Sequence, residues 1–282
     1  MKTVKIEPDF TSWRSAARAL LAEKVHPRDV LWVSKSAQSD GMLMFDEPVH
    51  PTQDAPRLNV PRDFVRLAET VSCHRSGDQW ALLYQILWAM THGNDRHVMK
   101  NQTDSAVRGL EQMRKTVSRD IHKMRAFVRF RQVEDGDNGL ESYVAWYEPE
   151  HLIARVNTPF FRKRFGGMNW SILTPDACVH WNGQSIHHTD GVDQSQAPEG
   201  DELEELWRGY YRSIFNPARL KIKMMQTEMP KKYWKNLPEA EIIEELIQTS
   251  GEQVMGMMQE EERSLKPAPK NDYLRHLDEL NR

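Results

Sequence analysis

The sequence predicts an α+β fold: a small antiparallel sheet of hairpins flanked by N-terminal and C-terminal helices. Two observations lead there. Apolar residues recur at helical spacing within 61–90 and again within 203–258. Between 126 and 188, short segments of strand character alternate with turn signals. The 282 residues are expected to form one domain over 1–265, followed by a linker-like tail with a short charged helix over 266–282.

In chain order, Val30-Leu31-Trp32-Val33 reads as a strand after the His26-Pro27 turn, with a second apolar stretch from Met42 to Phe45. The segment Glu47 to Pro61 contains four prolines and reads as irregular. Pro61 suits the first turn of a helix in which Phe64, Leu67, Ala68 and Val71 form one stripe. After Gly77, Trp80, Leu83, Tyr84, Leu87 and Trp88 repeat that spacing, and both helices are expected as core. Asp104 is placed to cap a long basic helix running to about Met124.

The period then changes. Ala126–Val133 and Glu141–Tyr147 read as two hairpin strands joined by a Gly- and Asp-rich turn. A turn centred near Asp137 sets Arg131 opposite Tyr143 and Arg129 opposite Ala145, giving one solvent face of Arg, Arg and Tyr. A slip of one residue would invert that face. Pro149–Val156 is expected as a helical turn, and Pro159–Phe165 as a second short helix with a basic triplet. Strands follow at Trp170–Leu173, Cys178–Trp181 and Ile186–His188, the last two joined at Asn182-Gly183. From Asp201 the stripe Leu203, Leu206, Trp207, Tyr210, Tyr211 and Ile214 is helical until Pro217, and a last long helix begins near Pro238.

Charge narrows the function. The net charge is only -3, so no global field draws the chain to DNA or to a membrane. The charges are nevertheless segregated: Arg108 to Arg131 holds eight cations against Glu111 and Asp120, while acids collect at 201–205, 239–245 and 260–262. Two cysteines supply neither a disulfide framework nor a CxxC metal signature. MKTVKIEPDF lacks the apolar core of a secretory signal, and the expected location is cytoplasmic. No GxSxG, GxGxxG or GxxxxGK[ST] occurs, and no cofactor is implied. Cys178, His180, His187 and His188 lie on neighbouring strands without zinc-site spacing, so no metal is assigned and packing is the simpler role. His122 is the one candidate acid or base; without a carboxylate pattern beside it, a structural role is simpler.

The strongest constellation is nucleic-acid-like. Four basic segments, 114–131, 162–164, 219–223 and 231–235, each have aromatics within a few residues. Cations follow a phosphate chain and flat rings stack on bases. Lys123, Arg129, Arg131, Arg162, Arg164, Arg219, Lys231 and Lys232 are the candidate phosphate contacts. Tyr143, Phe161, Tyr211 and Trp234 are the candidate stacking rings. The plain alternative is that the rings are core and the cations an ordinary solvated surface.

Three stretches, HKMRAFVRFR (122–131), PFFRKRFGGMNWSILTPDACVHWNG (159–183) and YYRSIFNPARLKIKMMQTEMPKKYWKNLPEA (210–240), resemble an uncharacterised DNA-metabolism protein family, a domain of unknown function. The resemblance runs from about Val30 to Met258. It implies a DNA-repair context, beside a radical SAM protein or fused ahead of a uracil-DNA glycosylase-superfamily domain, and it lends no catalytic residue. The expectation is therefore a DNA-binding accessory domain, not itself catalytic, taking single-stranded or damaged duplex DNA. The alternatives are a nucleic-acid-processing enzyme with His122, Asn216 and Arg219 near a pocket, or a scaffold for the repair partner.

Overall fold

A computed structural model describes residues 1–34, 59–93, 95–133, 140–197, 221–237 and 240–263. The chain divides into two compact units, Met1–Asp201 and Glu202–Arg282. The expected tail over 266–282, the stretch Met42–Phe45 and the helix from Asp201 lie outside the described residues.

The first unit begins with a strand and a helix. β1 (Lys2–Ile6) pairs in parallel with β2 (Val30–Ser34), Val4 opposite Trp32. Val4 and Ile6 turn inward while Thr3 and Lys5 lie on the other face, as the two-residue period requires. α1 (Phe10–Ala22) connects them; its cap Asp9 accepts from the Ser12 N–H at 2.9 Å. Trp13, Ala16, Ala17, Leu20 and Leu21 form the buried stripe of α1.

α2 (Arg62–Val71) and α3 (Gln79–Thr91) bury the stripes expected of them, with Pro61 as the cap rather than inside the first turn. Trp88 is only half-buried, its ring stacked on His92 at 4.3 Å. One continuous core joins β1, α1, α2, α3 and the first turns of α4, with Trp13, Trp80, Tyr84, Leu83 and Leu110 at its centre. The Trp13 indole donates to the Trp80 carbonyl (3.2 Å), and the Tyr84 hydroxyl donates to the Val25 carbonyl (2.7 Å). These bonds spare two bulky rings the cost of an orphaned polar atom.

α4 (Ser105–Phe127) starts at Asp104, whose carboxylate accepts from the Ala106 and Val107 N–H groups at 2.8 and 3.0 Å. Asp104→Ala removes both bonds, and thermal melts are expected to show a loss of ~0.5–2 kcal/mol. The helix runs three residues beyond Met124 and absorbs the start of the expected hairpin strand.

The second layer is a five-stranded sheet in the order β3-β4-β5-β6-β7: β3 (Arg131–Val133), β4 (Ser142–Trp146), β5 (Asn169–Leu173), β6 (Ala177–Trp181) and β7 (Ile186–Asp190). Neighbours are antiparallel except β4 and β5, which run parallel because α5 (Ala154–Arg164) carries the chain back between them. The fold class is α+β, as expected, with one parallel pair inside the sheet and a second in β1–β2. The two helical pieces expected around Pro159 are one helix with Pro159 inside it. Its neighbours hold it across the missing amide: Asn157 bonds α4, and Thr158 Oγ1 donates to the Ala154 carbonyl.

The β3–β4 register differs by one residue from expectation. Arg131 stands opposite Val144 and Gln132 opposite Tyr143. Since successive side chains alternate, Arg131 and Tyr143 lie on opposite faces of the sheet, and the expected Arg-Arg-Tyr face does not form. Gly183, at φ +83°, supplies the left-handed residue that a two-residue loop between Asn182 and Ser185 requires.

In the second unit, α6 (Ile222–Glu228) leads to a 3₁₀ segment, Lys231–Asn236, and then α7 (Ala240–Arg263). Tyr233, Leu237, Ala240, Ile242, Ile243 and Leu246 are buried.

Candidate functional site

The basic residues of α4 have different fates. Arg108, Lys115 and Arg119 are exposed at i, i+7 and i+11 on the outer face of the helix. Arg114 is neutralised by Glu111 one turn earlier, at 2.8 Å. His122 is exposed on α4 and Lys123 half-buried. Arg129 turns its guanidinium back onto the Ala126 and Val128 carbonyls at 2.8 and 3.3 Å, and closes the helix end.

Arg125 is the bridge to the next basic segment. Its Nε donates to Asn157 Oδ1 at 2.7 Å, and its guanidinium lies 4.7 Å from the centre of the Phe160 ring. Asn157 is fully buried, and its amide also donates to Met124 Sδ and the Ile121 carbonyl. Those bonds fix α5 on α4, so Arg125 sits beside the helix that ends in Arg162, Lys163 and Arg164. All three are exposed, and none has a carboxylate within ion-pair distance among the described residues.

Aromatics support these cations. The Arg162 guanidinium lies 5.7 Å from the Trp181 ring centre, and Arg164 lies 5.8 Å from Phe165. The Trp181 indole donates to the Gly166 carbonyl at 3.3 Å, tying the end of α5 to the end of β6. Part of this arrangement serves folding alone, because cations in a last helical turn complement the helix dipole.

Phe161 corrects an expectation. It is 1% exposed and packs with Phe130, Phe165 and Trp170 at centroid separations of 6.2–6.3 Å, so it is core and offers no base a ring to stack on. The helical period puts it on the inner side of α5, while Arg162 and Arg164 turn outward. Tyr143 is half-buried, and its hydroxyl donates to Glu141 Oε2 at 2.8 Å. In the second unit Lys231 lies 5.6 Å above the half-buried Trp234 ring and Lys232 4.8 Å from Tyr233, while the Trp234 indole donates to the Met229 carbonyl at 3.0 Å. Tyr211, Asn216 and Arg219 lie outside the described residues.

A polar junction between the helical layer and the sheet has no counterpart in the sequence pattern. Arg75, in the α2–α3 turn, grips Asp176 of the β5–β6 turn with two bonds of 2.5–2.6 Å, and its Nε donates to the Glu150 carbonyl. Nearby, Asp120 is 1% exposed, and its Oδ2 accepts from the His151 N–H at 2.8 Å. The His74 and His151 rings lie 4.5 Å apart. A cavity of about 720 Å³ opens here, lined in part by His74, Arg75, Trp80, Leu152, Arg155 and Asp176. Residues so far apart in sequence carry no shared spacing signal. Arg75 is committed to the clamp, which makes this junction a structural joint first.

Cys73 borders the joint. Burial pushes its thiol up to about 11, against a smaller opposing effect from Ser72. A raised value means a protonated, unreactive thiol at neutral pH. Alkylation by iodoacetamide at pH 7.5 is expected to be far slower than for an exposed cysteine, and to accelerate as pH approaches 11.

On the sheet, His180 spends both ring nitrogens on hydroxyls, Ser171 Oγ at 2.8 Å and Thr189 Oγ1 at 2.9 Å. Burial, then the neighbouring His187, lowers its pKa, so the ring is neutral at neutral pH. Among the described residues no group of three His, Cys, Asp or Glu side chains is arranged to hold a metal, and no helix is long and apolar enough to cross a membrane.

A family model described as "Domain of unknown function (DUF4130)" matches residues 77–239, more than half of the chain. The chain belongs to this family. The match takes in α3 through the 3₁₀ segment and so includes Arg125, the Arg162–Arg164 triplet and Lys231–Lys232. No curated protein and no solved structure matches the chain. The DUF4130 match carries no activity with it.

Proposed function

We propose that this DUF4130 chain is a DNA-binding accessory domain of DNA repair or metabolism, holding a strand for a partner enzyme of the glycosylase or radical SAM type. The observation behind it is the Arg162-Lys163-Arg164 triplet: three exposed cations without ion pairs among the described residues, joined through Phe160 to Arg125 and backed by Trp181. An ordinary solvated surface interleaves both signs, whereas three adjacent cations with no carboxylate partner among the described residues leave a local positive field for phosphates. The Lys231–Lys232 pair over Trp234 and Tyr233 gives the second unit a smaller site of the same kind. His122 is exposed on α4 and takes no catalytic role in this proposal.

The test is fluorescence anisotropy with a labelled single strand and the matching duplex at low salt. Saturable binding is expected, and Lys231→Glu combined with Lys232→Glu is expected to weaken it. No saturable binding of either form at the lowest salt would reject the proposal.

A further inference from the structure

Two strand–helix–strand units open on the cavity at the junction of the layers. β1 and β2 run parallel with α1 as their connection, and β4 and β5 run parallel with α5 as theirs. A crossover helix runs back against its strands, so it begins where the first strand ends. Asp9 after β1, Ser34 at the end of β2, Pro149 after β4 and Thr174 after β5 all line this one cavity of about 720 Å³. The first turns of α3 and α5 line it as well, through Gln79 and Trp80 and through Ala154 and Arg155. That volume suits a small organic molecule.

The start of α5 calls for a negative charge. Ile153 holds the cap position without a side-chain bond, no acid stands in the first turn, and the first helical bond runs from the Asn157 N–H to the Ile153 carbonyl. The amides ahead of it lie at the positive end of the helix dipole. There the chain places Arg155, exposed and, among the described residues, with no carboxylate within ion-pair distance. A cation in a first helical turn opposes the dipole, so its presence costs stability unless an anion joins the two. The acids of the same wall are differently placed. Asp9 caps α1, Asp176 is held by Arg75, and Glu7 is exposed.

A separate observation concerns the rest of the ligand. Gln79, also in the wall, is 1% exposed. Its Nε2 donates to the His74 carbonyl at 2.7 Å, which fixes the carboxamide, and its Oε1 has no donor among the described residues. A buried acceptor left open is costly, and an N–H on a ligand would satisfy it. Pro8, Leu152 and Pro175 add apolar surface to the same walls. An anion at one end, an N–H to donate and a partly apolar body describe a nucleotide. We propose that this cavity binds a nucleoside monophosphate, with its phosphate on Arg155 and the first amides of α5 and a base N–H on Gln79. The site is one for a free small molecule and does not depend on the DNA-binding function proposed above.

The test is isothermal titration of the full chain with dAMP, dCMP, dGMP and dTMP, alongside inorganic phosphate and the four nucleosides. At least one nucleotide is expected to saturate a single site about tenfold tighter, or more, than inorganic phosphate or its own nucleoside. Arg155→Gln is expected to lower that affinity about tenfold or more, the order of one charge-assisted hydrogen bond, without lowering the melting temperature. Reversal of the Arg162-Lys163-Arg164 triplet to glutamates is expected to leave nucleotide affinity unchanged, which separates this site from the DNA surface. No saturable binding of any of the four at millimolar concentration overturns the site. So does equal affinity for inorganic phosphate, an affinity that Arg155→Gln leaves unchanged, or an equal loss on reversing the triplet. Each of these results leaves DNA binding to be judged by its own salt dependence.

Discussion

Reversing the triplet, as Arg162→Glu with Lys163→Glu and Arg164→Glu, is expected to lower DNA affinity on the order of a hundredfold or more at 0.1 M salt. Each phosphate contact releases counterions, so losing three should also flatten the log–log salt dependence by about two for a single strand. The protein should stay folded, because all three side chains are exposed and donate no side-chain hydrogen bond to the core among the described residues. Arg108→Glu with Lys115→Glu and Arg119→Glu, on the outer face of α4, is the matched control for charge alone. An equal loss there would mean that the positive field, and not this site, draws the strand. The separation between the two variants is what carries the assignment.

Phe161→Ala is expected to cost ~3–5 kcal/mol, enough to lower the melting temperature sharply or unfold the first unit. The ring is 1% exposed and touches Phe130, Phe165 and Trp170, so removing it opens a cavity among aromatics that cannot all move inward. Phe161→Leu keeps most of the volume and is expected to cost far less, with DNA affinity unchanged at a temperature where the variant is folded. A base-stacking ring would behave the other way: the Leu variant would fold normally and lose affinity.

The contrast between these neighbours shows what the sequence could reveal. PFFRKRF places rings and cations side by side, and composition cannot say which turn inward. The helical period can, once α5 is known to be one helix. Pro159 hid this, because a proline in a helix interior reads as a break. The bonds that hold α5 together across it come from Asn157 to α4, a contact no local signal reports. The α2 and α3 stripes and the Asp104 cap were legible for the opposite reason, since each is decided within a few residues of chain.

The β3–β4 error has a geometric cause. Register depends on where the turn sits, and a shift of one residue moves every side chain to the other face. α4 also runs on to Phe127, so less strand remains to fix the pairing than AFVRFRQV suggests. β1 and α1 have no place in the sequence reading although their signals are present: alternation over Thr3–Ile6, then Asp9 ahead of Trp13, Ala16, Ala17, Leu20 and Leu21. Alanine marks a buried helix face weakly, and four residues of alternation are short. The Arg75–Asp176 joint had no signal at all, because it joins two turns that only the folded chain brings together.

The most direct measurement is the affinity of the wild-type chain for a labelled DNA single strand as salt is raised. Exposed, unpaired cations that track a phosphate chain predict a steep linear fall of log K against log salt, with a slope of magnitude about three or more. A slope near zero would contradict the account, since Arg162, Lys163 and Arg164 would then contribute nothing to whatever this chain binds.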